Sequence, residues 1–145
     1  MATALDEKTA NHQVLVFSGA QGCGKSTFLE GLLPIKLEGY MHSGQLDPTS
    51  KDSLAHLAEE FLINLDELDS LTKRKEAALK ELITKTTIKY RRPYGTFNQS
   101  YTRRASFTGS VNHESILSDT TGSRRFLVHK VMSIDYNHKV DMDRV

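Results

Sequence analysis

Residues 14–34 read VLVFSGAQGCGKSTFLEGLLP, and their order decides the fold. A short apolar run ends at a glycine, a loop follows with the spacing Gly19-x-x-x-x-Gly24-Lys25-Ser26, and helix-forming residues run on until Pro34 closes them. This is strand, loop, helix. Glycines are needed in such a loop because backbone N–H groups must turn inward and approach a phosphate closely, where a Cβ would obstruct. The stretch predicts a cradle for a nucleoside triphosphate made by Gly19, Ala20, Gln21, Gly22, Cys23, Gly24, Lys25, Ser26 and Thr27. Lys25 is expected to reach the β- and γ-phosphates and the Ser26 hydroxyl to ligate Mg²⁺, so ATP and Mg²⁺ are the expected cofactors. Motors, small-molecule kinases, switches and ATP-dependent scaffolds all use this loop, and the choice among them rests on residues further along the chain.

The 145 residues suit one domain, with 38% apolar residues, 26% charged residues and no tryptophan, a composition of soluble globular chains. No run of 18 apolar residues occurs, and the polar start MATALDEKTANHQ lacks the charged-then-apolar order of a secretory signal. The expectation is a cytoplasmic protein with no membrane partner. The single cysteine, Cys23, excludes an internal disulfide and reads as a small residue that fits the loop. His12, His42, His56, His113, His129 and His138 show no spacing that would gather a metal site with it. The net charge is only +1, but residues 85–104 hold Lys85, Lys89, Arg91, Arg92, Arg103 and Arg104 without one acid. Glu59, Glu60, Asp66, Glu67 and Asp69 gather upstream. Such asymmetry suggests a polyanion partner at one surface and metal or general-base work at another.

Downstream of the first strand and helix, a short strand is expected near Tyr40 and Met41. Thr49 with Asp52 offers a capping box for a helix over about 51–60, its apolar face formed by Leu54, Leu57 and Ala58. FLINL, residues 61–65, reads as a buried strand that stops at Asp66-Glu67, and a helix is expected over 73–84 with Leu79, Leu82 and Ile83 inward. The periodicity then changes: TIKYRRPYGTFNQSYTRR reads as a long β-hairpin turning over 93–98, feeding the core strand ASFTGSVN that ends at Asn112. FLVHKVMSI, residues 126–134, is expected as one more strand. The alternation predicts an α/β domain with a largely parallel sheet flanked by helices. Its expected limits are 13–136, after a polar extension over 1–12 and before a polar tail over 137–145 that reads as stopping short of further helices. Ligands of such sheets bind at the carboxyl ends of the strands, where the glycine loop, Asp66-Glu67 and Asn112 all fall.

Each of these has a chemical reason. An apolar strand delivers Asp66 to the metal's hydration shell, and Glu67 beside it can orient and deprotonate a water, the step that separates hydrolysis from binding. Asn112 both donates and accepts, which suits holding a γ-phosphate or an attacking water. Arg124 and Arg125 follow a Gly-Ser turn and precede an apolar strand, and a guanidinium presented to a γ-phosphate can accelerate hydrolysis by ~10³ to 10⁵.

SGAQGCGKSTF, INLDELD, KYRRPYG, FTGSVN and DTTGSRRF, in this order, resemble the virulence-associated protein E family, P-loop ATPases of mobile elements and phages. That family is similar to the superfamily three helicases, relatives of the AAA+ proteins, and the likeness covers about residues 14–136. It implies a P-loop NTPase with a β-hairpin inserted before the sensor strand, acting as a replication-linked ATPase on DNA, as a ring, often beside primase modules. Lys25 and Ser26 match the phosphate-loop pair, Asp66 and Glu67 the second motif, Asn112 the sensor, and Arg124 or Arg125 the finger. Position 64 departs, being Asn where the family often has an acid.

In the related helicases the hairpin grips nucleic acid. Here an arm of about seven residues would span ~23 Å. Lys89, Arg91, Arg92, Arg103 and Arg104 would pair with phosphates, and Tyr90, Tyr94, Phe97 or Tyr101 would stack on bases of single-stranded DNA. The competing reading has the basic residues lining the ATP site or a subunit contact and the aromatics filling the sheet face. The leading expectation is Mg²⁺-dependent ATP binding and hydrolysis by the core of a superfamily-three-like DNA helicase or replication-associated ATPase. A small-molecule kinase, for which the sequence offers no evident acceptor pocket, and a nucleotide-switched assembly module are the alternatives.

Overall fold

The computed structural model describes residues 11–92, 95–112 and 123–135. Five strands form one sheet: β1 (Val14–Ser18), β2 (Met41–Gly44), β3 (Leu62–Leu65), β6 (Ser106–Val111) and β7 (Phe126–Lys130). Their order across the sheet is β2-β3-β6-β1-β7, and every neighbouring pair is parallel. β3 is buried along its whole length, and β6 everywhere but its first residue, as expected for central strands covered on both faces. β7 is an edge strand, buried only at Phe126.

The helices are α1 (Lys25–Glu30), α2 (Asp52–Glu59) and α3 (Lys73–Thr84). α3 spans the residues its periodicity predicts. Thr72 caps it by accepting from the Lys75 N–H, and Leu79, Leu82 and Ile83 are buried at helical spacing. Leu57 of α2 and Ile63, Leu65, Phe107 and Val111 of the sheet join the same core.

Four elements differ from expectation. α1 stops at Glu30 with Gly31 as its cap, because glycine is a poor helix former and only two residues remain between it and Pro34. α2 has no capping box: its N-cap is Lys51, and the Thr49 hydroxyl donates instead to Asp47 Oδ1 at 2.7 Å. Thr49 is therefore used up inside the turn that precedes the helix. β7 ends at Lys130 rather than at 134, since its partner β1 ends at Ser18 where the glycine loop departs.

The hairpin, finally, is built from β4 (Thr87–Tyr90) and β5 (Gln99–Thr102), with arms of four residues rather than seven. Tyr90 closes the ladder opposite Gln99, and its hydroxyl donates to Glu59 Oε1 of α2 at 2.8 Å. That bond ties the last residue of the arm down to α2, so the paired part spans ~13 Å and stays against the body of the domain.

Candidate nucleotide-binding and catalytic site

At the carboxyl edge of the sheet the chain after β1 turns through two glycines with positive φ, Gly22 at 82° and Gly24 at 90°. Gly19 meets a different demand: a Cβ there would run into the carbonyl oxygen of Val131. The loop is fixed at both ends, by the Gly19 N–H donating to Val111 O at 3.2 Å and the Ile134 N–H donating to Cys23 O at 3.1 Å. Inside it Lys25 is 7% exposed, and its Nζ donates to Gly19 O at 2.6 Å and Ala20 O at 2.8 Å. Asn112 Oδ1 lies 3.5 Å from the same ammonium.

The second strand end meets this loop directly. Ser26 Oγ donates to Asp66 Oδ1 at 3.1 Å, and Ser110 Oγ reaches the same oxygen at 3.5 Å. Glu67 follows with φ 52° and ψ 49°, the left-handed region that only a few per cent of non-glycine residues adopt. A 3₁₀ turn over Leu68–Ser70 continues from it. Lys25, Ser26, Asp66, Glu67, Ser110 and Asn112 face one cavity of about 350 Å³, whose floor is the glycine loop. A lysine, a hydroxyl beside a carboxylate, a second carboxylate and an amide are thus gathered from segments up to 87 residues apart.

Three contributors received no individual role from the sequence. Ser110 precedes Val111 and Asn112 on β6 and helps hold Asp66. Asp69 accepts the Asn112 backbone N–H at 3.2 Å. Gly109 lies under the turn, where a Cβ would come within 2.7 Å of Leu68 Cδ1. A glycine inside a strand does signal close approach of another segment, and that sign was present at Gly109.

Arg124 and Arg125 are not brought to this cavity. They directly precede Phe126, which pairs with Val14 at the start of β1, whereas the glycine loop leaves from the other end of that strand, opposite Lys130. Within one chain they stand roughly a strand length, ~17 Å, from the glycine loop.

Of the basic residues near the hairpin, Lys89, Arg91, Arg92 and Arg104 are exposed, and Tyr94 lies outside the described residues. Arg103 overturns its expected role. It is 1% exposed, its Nη2 donates to Asn11 O, and its guanidinium lies 5.6 Å from the Phe107 ring centre. Burial pushes its pKa down to about 10, and among the described residues its Nε and Nη1 have no hydrogen-bond partner. A group so enclosed cannot meet a phosphate without unfolding its surroundings. Tyr90 is likewise buried, and the Arg92 guanidinium covers Tyr101 at 5.1 Å. Phe97, 78% exposed, remains available for stacking, and it shares a groove of about 870 Å³ with Lys51, Lys89, Arg91 and Arg92 between the hairpin and α2. No helix among the described residues is long and apolar enough to cross a membrane.

The family described as the virulence-associated protein E-like domain matches residues 4–145. The chain belongs to that family. Three solved structures share the fold of this VapE-like domain. An A form apo structure of the NrS-1 C-terminal region superposes with a TM-score of 0.67 at 22% identity, covering 90% of this chain. A second A form of that region gives 0.65 at 20% identity over 96% of this chain, and a further apo structure 0.65 at 23% over 89%. Each match takes in 32% of the NrS-1 chain, so the VapE-like domain spans about a third of those structures. No curated protein matches the sequence.

Proposed function

We propose that this domain binds ATP with Mg²⁺ and hydrolyses it, as the ATPase core of a superfamily-three-like DNA helicase or replication-associated ATPase of a mobile element. The observation that carries the reading is the meeting of Lys25, Ser26, Asp66, Glu67 and Asn112 on one cavity. Family membership supports the replication context.

Lys25 exchanges its loop carbonyls for the β- and γ-phosphate oxygens, and the glycine loop supplies backbone N–H donors around them. The Ser26 hydroxyl and Asp66 carboxylate, 3.1 Å apart, are the hard oxygen donors that suit Mg²⁺, a cation that keeps several waters and takes few protein ligands. When bound, that ion neutralises charge developing on the phosphates. Glu67 accepts the proton of the water that attacks the γ-phosphorus, and the Asn112 amide orients that water or the phosphate. Because Arg124 and Arg125 lie at the other end of the sheet, the finger comes from a neighbouring subunit of a homo-oligomeric ring. Single-stranded DNA runs along Lys89, Arg91, Arg92 and Arg104 with Tyr94, and a primase is the expected partner module.

Phosphate release from ATP, measured with and without single-stranded DNA, tests this. Release that DNA stimulates is the expected result, and no release under either condition would remove the motor reading. A second reading has one observation in its favour. A cavity of about 410 Å³ adjoins the first and shares Asp66, with Leu46, Leu68, Leu71 and Leu79 on its walls and Asp47 and Lys75 among its lining. Its place beside the first cavity is what supports this reading, since a kinase needs a space for an acceptor there, and γ-phosphate transfer to nucleosides or sugars would establish a small-molecule kinase instead.

A further inference from the structure

Glu67 holds a left-handed backbone conformation, which for such a residue costs on the order of 1 kcal/mol and persists only where neighbours impose it. The Ser70 N–H closes the turn on Glu67 O at 2.9 Å, but that bond is internal to the turn and moves with it. Two contacts fasten the turn to β6. Leu68, 3% exposed, sits in the space left by the missing side chain of Gly109. Asp69 Oδ2 accepts the backbone N–H of Asn112 at 3.2 Å.

The second contact falls where the ladder has run out. β6 pairs with β3 only as far as Gly109 and with β1 as far as Val111, and the Val111 carbonyl is taken by Gly19. The Asn112 N–H is the first group beyond the sheet, and a carboxylate from the Glu67 turn takes it in a charge-assisted bond. Asn112 Oδ1 in turn faces Lys25 Nζ at 3.5 Å. Glu67, Asp69, Asn112 and Lys25 therefore form one connected line across the mouth of the site, and Asp69 alone among them does not line the cavity.

We propose that Asp69 is a positioning residue that locks the Glu67 turn to the Asn112 end of β6, so that the water-activating carboxylate and the orienting amide keep a fixed separation. This rests on the ATPase reading. Asp69 stands outside the cavity lining and acts through Glu67 and Asn112. Its loss displaces two groups that act in the transition state while leaving the phosphate loop, and hence ground-state binding, in place. Misplacement of about 1 Å costs up to ~10² in rate, and the loss appears in kcat rather than in KM.

The test compares Asp69→Ala and Asp69→Asn with the unaltered chain, reading hydrogen exchange at the Asn112 amide together with steady-state ATP hydrolysis. In Asp69→Ala the amide loses protection, kcat falls at least about tenfold and KM stays within about threefold. Asp69→Asn, which keeps an acceptor oxygen, restores both protection and kcat. Lost protection with unchanged kcat overturns the proposal and leaves the ATPase reading standing. An Asn variant as slow as the Ala variant overturns the acceptor role as well. Absence of hydrolysis in the unaltered chain defeats the ATPase reading and this inference with it, whatever the amide shows.

Discussion

Gly109 lies in the middle of β6, with Leu68 Cδ1 where its own side chain would be and the Leu65 carbonyl 2.9 Å from the same point. Gly109→Ala must push the Glu67 turn outward. We expect a loss of about 1 to 3 kcal/mol in urea denaturation, with slower ATP turnover in the fraction that folds. Stability equal to the parent would mean that the turn is not seated on the strand. Residues of this kind mark how far the sequence could be read. The shape of the glycine loop was legible because its residues keep a fixed local spacing, and the position of Asn112 because β6 ends visibly before it. Asp69 was not, since an acid two residues after Glu67 reads equally well as a solvated turn. Arg103 misled because a basic run in sequence suggests a basic face, whereas the fold turns this one guanidinium inward against Asn11 and Phe107.

At the level of elements, the hairpin is the clearest test of what the basic run does. Its strands were legible from their β-branched and aromatic composition, but its length was not, because a bond between Tyr90 and Glu59, 31 residues apart, ties down the end of the arm. Charge reversal of Arg91 and Arg92 together should weaken single-stranded DNA binding and flatten the slope of log affinity against log salt by about 0.7 for each phosphate no longer neutralised. Arg103→Gln, made in the enclosed position, should leave that slope unchanged. The opposite pattern would return the exposed arginines to a subunit contact. Between β2 and α2, the rings of His42 and His56 lie 4.2 Å apart, and His56 Nδ1 is 3.4 Å from Glu60 Oε1. Burial, and then the neighbouring His56, hold His42 below its ordinary value of 6.5, against weaker opposing effects of the Gln45 backbone and Glu60. The folded state therefore carries fewer protons here than the unfolded one as pH falls below that value, and stability is lost on acidification. Urea midpoints at about pH 7.5 and about pH 5.5 should show a drop that is smaller in His42→Gln. An equal drop in both proteins would place the sensitivity elsewhere.

For the whole molecule, the parallel order β2-β3-β6-β1-β7 is what turns three distant stretches of sequence into one site. β1, β3 and β6 are adjacent, so the loop after β1, the acidic pair after β3 and the amide after β6 leave the sheet side by side. The same parallel arrangement puts Arg124 and Arg125 at the start of β7, on the edge opposite the glycine loop. ATP affinity and phosphate release, measured side by side for the unaltered chain and for Lys25→Ala, Glu67→Gln and Asn112→Ala, test the unity of that edge most directly. The expected result is that Lys25→Ala loses binding, while Glu67→Gln and Asn112→Ala bind ATP like the parent and turn over about 10² times more slowly or worse. Undiminished turnover in Glu67→Gln, with ATP bound normally, would contradict the hydrolytic site.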